Sequence, residues 1–435
     1  MTFGDRDPAF PDDGQGVRTA VVVGGGITGC ATALELTRLG FRVTLYEAKP
    51  LLGGILRDLD SDGSWYFNGC QYLRTEQAWH KALPDALQNN LYRFAHYYGS
   101  YTDLGFGPVS HEDFEAPVFD APADGLADLE TYSASASLAD RMRCYPPAIG
   151  EAVLGWLKHL GADPEEIDGG NAYNVQLGRL YLRGKDAEIK AFKAGSPVAD
   201  DLLGLPRTVR GEGRPIGSLP TDGYNAFFDV FETVLTEAGV VIRTGQPAVP
   251  RFEDNAAILK LRGETLRPDL IVWAANPTPV IAAAGLGRLD DPFVDITVSA
   301  GSISGPGLPV DPHYMQIYST GSPVTRIFTY PRNSGHCVTI EHMPDARSLP
   351  DLQEHVQDIC HSFYGDVRIE IAVQQRQRRH IFFSPADRAR FETFRDLCST
   401  RYVNFVDGAW ESYARDPKIN GIASTLRARL PLLPS

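Results

Sequence analysis

Three glycines at the spacing G-x-G-x-x-G, namely Gly24, Gly26 and Gly29, mark the part of this 435-residue chain with the clearest chemical meaning. Between a strand and a helix, such glycines allow a tight turn, close approach of the backbone to a pyrophosphate, and close packing of the helix on the strand. Glu47 follows 23 positions after Gly24. This is close to the roughly 20-residue spacing at which a carboxylate meets a ribose hydroxyl. The pattern predicts a dinucleotide-binding site.

The residues around the glycines predict the elements that would position them. Residues 18–23 are mostly small or β-branched, 28–39 carry apolar side chains at helical spacing, and 41–47 resemble a second apolar strand. This is the order of a parallel βαβ unit. The helix would point its first free amides at a phosphate. Ile27 and Thr28, at its start, are therefore expected to contact the cofactor.

The continuation of the motif favours FAD over NAD. The residues from Glu47 to Arg57, E-A-K-P-L-L-G-G-I-L-R, resemble the E-x₅-GG-x-x-[RS] extension of FAD-dependent amine oxidases and their relatives. The resemblance implies that a second glycine pair approaches the pyrophosphate and ribityl chain of FAD. The cofactor-binding residues expected in this stretch are Glu47, Ala48, Lys49, Gly53, Gly54, Ile55, Leu56 and Arg57. The alternative for the glycine pair is a loop turn without a ligand.

Shorter segments further along the chain resemble UDP-galactopyranose mutase and its relatives. They are F-N-G-C-Q-Y-L-R-T at 67–75, L-P-R-T-V-R at 205–210, L-P-T-D-G-Y at 219–224, P-V-T-R-I at 323–327 and F-V-D-G-A-W-E-S-Y at 405–413. The corresponding family segments are G-P-H-I-F-H-T, R-x-P-V-R, P-x-x-GYT, P-Y-T-R-I and F-x-GR-x-x-x-Y. Two positions depart from the family. Gln71 stands where the mutases carry a histidine, and Ala409 replaces an arginine of the flavin's redox environment.

The resemblance also implies roles for individual residues. The catalytic candidates are Arg326, Tyr224 and Tyr413. The substrate-binding candidates are Arg210, Arg326, Tyr224 and Gln71, since the planar fork of arginine matches phosphate oxygens. Gly69, Cys70 and Gln71 would lie at the flavin, and further cofactor contacts are expected at Val249, Ala274, Asn276, Gly408, Trp410, Ile419 and Asn420. A surface or strand-pairing arginine remains the alternative for Arg326, and structural roles remain the alternative for Arg210 and the tyrosines.

Two chemistries are compatible with this scaffold. The resemblance to the mutases implies isomerisation of a nucleotide sugar between pyranose and furanose forms through an adduct at N5 of the reduced flavin. The runner-up is net oxidation, in which a hydride passes from a substrate C–H to the flavin, as in amine-oxidase relatives. Since one fold hosts both, the fold does not decide between them. A third alternative is a flavin-binding protein without catalytic activity.

The expected fold is α/β, with a doubly wound parallel FAD-binding domain, an inserted helical region and a second mixed sheet covering the flavin. Later strands at 240–243, 269–274 and 402–407 and helices at 227–238 and 419–430 would return to the first domain, while 324–330 and 337–341 would pair in the second sheet. Helices are also predicted at 146–160 and 172–183. The predicted segments are a disordered arm at 1–16, FAD-binding parts at 17–85, 208–285 and 401–435, a mainly helical insert at 86–207 and a second substrate-facing domain at 286–400.

The expected partner is a small molecule, and the resemblance implies that it is a nucleotide sugar or derived from a sugar. A net charge of −14 argues against nucleic acid, and the basic run at 376–380 is interpreted as a solvated charge cluster. Six scattered cysteines indicate reduced thiols in the cytoplasm. The ten histidines have no recognised metal spacing, so no metal is expected. No apolar run reaches the ~18 residues of a membrane span. A homodimer is left open.

Overall fold

The computed structural model describes residues 17–75, 77–95, 97–102, 109–110, 128–133, 136–145, 147–170, 186–202, 216–290, 293–344, 348–410 and 415–432. Several sequence-based predictions lie outside these ranges. They are the arm at 1–16, the whole helix at 172–183, and the site candidates Arg210 and Tyr413.

The strands are β1 Thr19–Val23, β2 Arg42–Tyr46, β3 Leu59–Ser61, β4 Ser64–Tyr66, β5 Leu73–Arg74, β6 Leu91–Ala95, β7 Tyr97–Thr102, β8 Val109–Ser110, β9 Ile216–Pro220, β10 Val241–Arg243, β11 Val249–Glu253, β12 Ala256–Leu261, β13 Glu264–Leu266, β14 Leu270–Trp273, β15 Phe293–Ser304, β16 His313–Tyr318, β17 Val324–Arg332, β18 Gly335–His342, β19 Arg368–Ile381 and β20 Phe405–Val406. The helices are α1 Ile27–Arg38, α2 Ala78–Lys81, α3 Asp85–Gln88, α4 Leu129–Ser133, α5 Leu138–Met142, α6 Pro147–His159, α7 Asp186–Gly195, α8 Pro197–Leu202, α9 Gly223–Glu237, α10 Thr278–Ala283, α11 Leu349–Tyr364, α12 Pro385–Thr400 and α13 Arg415–Arg429.

The first sheet is parallel throughout, with the strand order β10-β2-β1-β14-β20. Its central strand β1 carries apolar residues on both faces, as expected for a strand that is covered on both sides. Ala20 and Val22 belong to the core shared with α1, α9 and α13. Val21 and Val23 belong to the core on the opposite face, with α10, α12 and the ribbon β11–β12. The predicted βαβ unit and doubly wound fold are confirmed, and the returning strands are β10, β14 and β20.

A second sheet of seven strands has the order β19-β15-β18-β17-β16-β7-β8. The predicted pairing of 324–330 with 337–341 is confirmed, with Ile327 opposite Ile340 in the antiparallel pair β17–β18. Inward side chains of this sheet, including Ile296 and Phe328, share the main core with the first sheet. The two sheets are therefore packed through one continuous apolar core.

The stretch from 86 to 207, expected to be mainly helical, contains α4 to α8 and also the strands β6, β7 and β8. β6 pairs with β9, and β7 runs parallel to β16 at the end of the second sheet. The helices α5, α6 and α8 bury their own cluster around Met142, Trp156 and Leu202. This stretch thus supplies strands to two sheets as well as a small helical core.

Two features of this fold position the candidate site. The carboxyl ends of parallel strands meet at one edge, so the residues after β1, β2, β14 and β20 are brought together there. Residues 67–72 cross from this edge to the second sheet, where side chains of β17, β18 and β19 hold them. In the described part of the chain, no helix is long and apolar enough to cross a membrane.

Candidate functional site

The first glycine turn has the geometry that its spacing predicts. Gly24 has a positive φ of 107°. A Cβ on Gly29 would overlap the carbonyl oxygen of Gly24, so this turn closes only with glycine at both positions. At Gly26 a Cβ would meet no atom of the described residues within 4 Å. Gly26 therefore presents bare backbone to open space at the start of α1, where helix amides attract a phosphate.

Glu47 lies beside this turn, at the end of β2. Its Oε2 accepts a hydrogen bond from the Gly25 amide at 2.6 Å, and its Oε1 accepts one from the Lys49 amide at 2.7 Å. The carboxylate is thus fixed at the carboxyl edge of the sheet, with 9% of the residue exposed. Ala48 and Lys49 follow on the surface. The carboxylate therefore stabilises the turn itself, and its contact with a ribose stays a prediction.

The second glycine pair packs directly on the first turn. The Gly53 amide donates to the Gly25 carbonyl at 2.8 Å, and Gly53 forms an isolated bridge with Gly26. Both glycines have positive φ, 119° at Gly53 and 59° at Gly54. Ile55 next to them is 53% exposed, whereas Leu56 is buried. The structure therefore brings the two predicted glycine segments into contact.

Arg57 and Asp58 anchor this loop to the start of α9. The Arg57 guanidinium donates to the Leu52 carbonyl and to Oδ1 of Asn225. Oδ2 of Asp58 accepts the Asn225 amide at 2.8 Å, and Oδ1 of Asn225 accepts the Asp58 amide at 3.2 Å. Burial raises the pKa of Asp58 to about 7. Asp58 and Asn225 were not predicted, because their pairing joins positions 167 residues apart.

The segments after β14 and β20 complete the same edge. The Ala274 amide donates to the Val23 carbonyl at 2.9 Å, which places it behind the first turn. A Cβ on Gly408 would lie 2.6 Å from the Trp273 carbonyl oxygen. Asn276 is exposed, and Oδ1 of this residue accepts the Thr278 amide. The turn after β20 therefore packs against the end of β14.

Four further predicted cofactor residues differ in burial and lie in other elements. Val249 begins the separate ribbon β11–β12 and is 41% exposed. Trp410 is buried with its ring facing Phe391 and Phe394. Ile419 is buried in the main core, and Asn420 is exposed, with Nδ2 3.4 Å from Oε1 of Gln77. Their cofactor roles stay predictions.

The segment from Phe67 to Cys70 is held by side chains of the second sheet. The Phe67 amide donates to the Tyr330 hydroxyl at 3.0 Å, and the Thr339 hydroxyl donates to the Phe67 carbonyl at 2.9 Å. Nη1 of Arg379 donates to the Asn68 carbonyl at 2.9 Å. The next residue, Gly69, has a φ of 91°, and a Cβ there would overlap the Arg379 guanidinium. The backbone at Gly69 is therefore fixed by both conformation and contact.

A buried charge cluster lies behind this segment. Oε2 of Glu341 is 3.1 Å from Nη1 of Arg326, and Oε1 is 3.4 Å from Nη2 of Arg379. The Cys70 amide donates to the same Oε1 at 3.1 Å. The side chains of the three charged residues are 8%, 0% and 3% exposed for Arg326, Glu341 and Arg379. Two guanidinium groups therefore contact the same buried carboxylate.

Sequence reasoning missed two members of this cluster. Glu341 stands in an apolar strand and belongs to no motif. Arg379 was included in the basic run 376–380, which was interpreted as solvated. That interpretation is wrong for Arg379, which is buried, while Arg376 and Arg378 are exposed and lie near Asp295. The alternation of faces along a strand was the signal that could have separated them.

The remaining candidates lie around the same segment. Tyr224 is fully buried, and its ring contacts Phe67 at a centroid distance of 5.5 Å. Its hydroxyl has no hydrogen-bond partner among the described residues, and burial raises its pKa well above the usual value. Gln71 is half-buried, and its Oε1 accepts from Nη2 of Arg415 at 2.8 Å. Gln71 is thus part of the 67–72 segment, Tyr224 contacts it through Phe67, and Arg326 is linked to it through Glu341. Their substrate roles stay predictions.

In the described part of the chain, no three His, Cys, Asp or Glu side chains are grouped to hold a metal ion. The groups that the site does present are bare glycine backbone, the carboxylate of Glu47 and the guanidinium groups near Gly69. These suit a ligand with a pyrophosphate, ribose hydroxyls and an extended body. The arrangement defines a dinucleotide-type site at the carboxyl edge of the parallel sheet.

Comparisons with known proteins agree with this geometry. Residues 22–87 match the family described as the NAD(P)-binding Rossmann-like domain. The structure resembles reduced UDP-galactopyranose mutase, with 14% identity, a TM-score of 0.65, and coverage of 96% of this chain and 95% of that one. It also resembles cyclohexylamine oxidase from Brevibacterium oxydans, with 13% identity, a TM-score of 0.62, and coverage of 96% and 100%.

One curated protein resembles a short part of the sequence. The carotenoid phi-ring synthase of Chlorobaculum tepidum is 59% identical over 39 residues, which are 9% of this chain and 6% of that protein. The chain therefore has a Rossmann-like domain and the overall fold that UDP-galactopyranose mutase shares with amine oxidases. At these identities, the similarity establishes the fold and leaves the activity to be argued from the site.

Proposed function

We propose that the chain binds FAD along the carboxyl edge of the parallel sheet and is a flavin-dependent enzyme. The contact between the two glycine turns, with open space over Gly26, carries this proposal. Gly26 and Gly54 would accept the pyrophosphate against bare backbone, and Glu47 would accept hydrogen bonds from ribose hydroxyls. The Rossmann-like match over 22–87 supports a dinucleotide, and the resemblance of the Gly53–Gly54 segment to flavoproteins supports FAD.

When bound, the flavin supplies an electron-rich or electron-poor N5 position, depending on its redox state. The chain's own part would be to fix the ring and the substrate around it. Tyr330 and Thr339 hold the backbone of Phe67, and Glu341 holds that of Cys70. A rigidly held segment positions a bound ring within the narrow tolerance that catalysis requires.

Within this class, we propose mutase chemistry on a nucleotide sugar, as an isomerisation between pyranose and furanose forms. The guanidinium groups of Arg326 and Arg379, both held by Glu341 behind the 67–70 segment, support an anionic substrate such as a sugar diphosphate. The fold shared with UDP-galactopyranose mutase supports the same proposal. Tyr224, Gln71, Arg210 and Tyr413 stay candidates for substrate contact.

A second candidate is net oxidation of a sugar or natural-product intermediate. The turn after β20 favours it, because Ala409 stands in a left-handed conformation, with a φ of 48°, where the mutases carry an arginine. Its methyl group is buried and would lie 3.0 Å from a Cβ on Gly421. A long side chain at 409 would therefore have to displace α13 or point elsewhere. The fold shared with an amine oxidase is equally compatible with this reaction.

The first experiment is the absorbance spectrum of the purified protein, with and without added FAD. Gly26→Val, which fills the open space over the turn, should abolish FAD binding. Gly155→Val is the matched control, because Gly155 is exposed on α6 and also has no atom of the described residues near its Cβ position. Absence of flavin in the wild type, even after addition, would contradict the proposal, as would equal FAD binding by Gly26→Val.

A second experiment separates the two reactions. The FAD-loaded protein is incubated anaerobically with a panel of nucleotide sugars, once oxidised and once after dithionite reduction. Isomeric product formed only by the reduced protein supports the mutase. Bleaching of the oxidised flavin by a substrate, without isomeric product, supports the oxidoreductase and contradicts the mutase proposal.

A further inference from the structure

Arg415, the first residue of α13, joins two segments that are both expected at the cofactor. Its Nη1 donates to the Tyr72 carbonyl at 2.9 Å, and its Nη2 donates to Oε1 of Gln71 at 2.8 Å. Gln71 lies two residues after Gly69, and α13 follows the turn at Gly408. The guanidinium therefore joins the start of α13 to the segment that crosses to the second sheet.

The charge of Arg415 has only neutral partners among the described residues. Both of its hydrogen-bond acceptors are uncharged, and no carboxylate oxygen of those residues lies within 4 Å. Arg427 on the same helix differs, because its Nη2 lies 3.6 Å from Oε1 of Glu35. Arg415 is half-buried, so the missing counter-charge costs more than it would on an exposed surface.

The field of Arg415 reaches the buried interior of the site. Burial raises the pKa of Tyr224, and the positive charge of Arg415 opposes that increase. Asp58 acts on Tyr224 in the opposite sense. A cation that influences a buried phenol between the glycine loop and the 67–72 segment would also act on a ligand held there.

We propose that Arg415 is the cation that stabilises the reduced, negatively charged form of the bound flavin, with Gln71 as its positioning residue. This inference rests on the proposed FAD binding. Two electrons and one proton, supplied by dithionite and water in the test below, leave the ring one negative charge richer than before. A nearby guanidinium favours that form over the neutral oxidised ring and raises the reduction potential. Arg415 would thus supply a charge that Ala409, in the turn before it, does not.

The test compares FAD-loaded wild type with Arg415→Gln, Arg415→Lys and Gln71→Leu, using Arg427→Gln as the matched control. The midpoint potential is measured by equilibration with a reference dye. Arg415→Gln should lower the equilibrium constant for two-electron reduction at least ~10-fold, which corresponds to ~30 mV. Gln71→Leu should shift it in the same direction by less, Arg415→Lys should restore most of it, and Arg427→Gln should stay within about twofold of wild type.

The outcomes separate this inference from the proposed function. If the wild type binds no FAD, the proposed function fails first. If Arg415→Gln binds FAD with an unchanged potential, FAD binding stands and the inference is overturned. Should Arg415→Gln not retain FAD, Gln71→Leu decides, and an unchanged potential in that variant overturns the inference.

Discussion

Glu341→Gln tests the buried charge cluster behind the 67–70 segment. The carboxylate is completely buried and contacts Arg326 at 3.1 Å, Arg379 at 3.4 Å and the Cys70 amide at 3.1 Å. The amide keeps the shape but removes the negative charge, so two buried arginines lose their shared partner. Breaking a buried ion pair in this way costs about 3–5 kcal/mol. This is a large part of the 5–15 kcal/mol that typically stabilises a domain.

Asp295→Asn is the matched control on the same sheet. Asp295 pairs with Arg376 at 3.2 Å, but neither side chain is buried, since Asp295 is 36% and Arg376 58% exposed. An exposed pair contributes about 0–1 kcal/mol. Urea unfolding followed by circular dichroism, at the same pH and FAD concentration, gives the midpoint and slope for each variant. The Glu341 variant should therefore lose at least three times as much stability as the control.

A double variant provides the sharper test. Adding Arg379→Gln to Glu341→Gln removes one of the two arginine charges that Glu341 contacts, so the cost of the double variant should be clearly less than the sum of the two single costs. If Glu341→Gln costs no more than Asp295→Asn, or if the double variant is simply additive, burial does not set the strength of this cluster. In that case, the proposal that the arginines of this cluster favour an anionic substrate would also lose its basis.

Three further predictions concern single residues. The pKa of Asp58 in the folded protein is about 7, above its ordinary 3.8, so its contribution to stability is greatest below pH 4. That contribution, up to ~4 kcal/mol, is lost as the pH rises toward 7. Asp58→Asn should therefore reduce the difference in the free energy of unfolding between pH 5 and pH 8, measured with urea, and a difference equal to that of wild type would refute the prediction. Gly69→Ala should destabilise the fold by ~2 kcal/mol or more, because of its positive φ and the overlap with Arg379. The measurement is the shift in melting temperature, and the control Gly155→Ala, in the interior of α6, should stabilise by up to ~1 kcal/mol instead. Glu47→Ala should weaken FAD binding ~10-fold or more, measured by flavin fluorescence on titration, while Glu47→Gln should retain part of the affinity. Equal affinity of wild type and both variants would rule out the ribose role.

The local part of the fold was predictable because its signals lie within a short stretch of chain. The glycine spacing, the apolar run before it and the helix after it predicted β1, α1 and β2 within one or two residues. Gly24 and Gly29 are confirmed as glycines that the turn requires, because a Cβ at Gly29 would overlap the backbone of Gly24. Such contacts are made by residues close in sequence, so the sequence alone specifies them.

Contacts between distant segments were not predictable in this way. The 86–207 stretch was expected to be mainly helical, yet β6 pairs with β9 and β7 pairs with β16, across more than 100 positions. Short strands of this kind have weak local signals, and their pairing is decided by the partner that the fold brings alongside. The link between Gln71 and Arg415 joins positions 344 residues apart.

The sequence by itself determined the parallel βαβ core, the two glycine turns and the acidic residue between them, because backbone conformation and helical or strand periodicity encode these locally. Only the tertiary structure decided which charges are buried together. Glu341 and Arg379 lie on separate strands whose order in the second sheet brings them to Gly69. Burial then turns these ordinary residues into a strongly coupled cluster, since removal from water strengthens their interaction far beyond that of the exposed pair at Asp295.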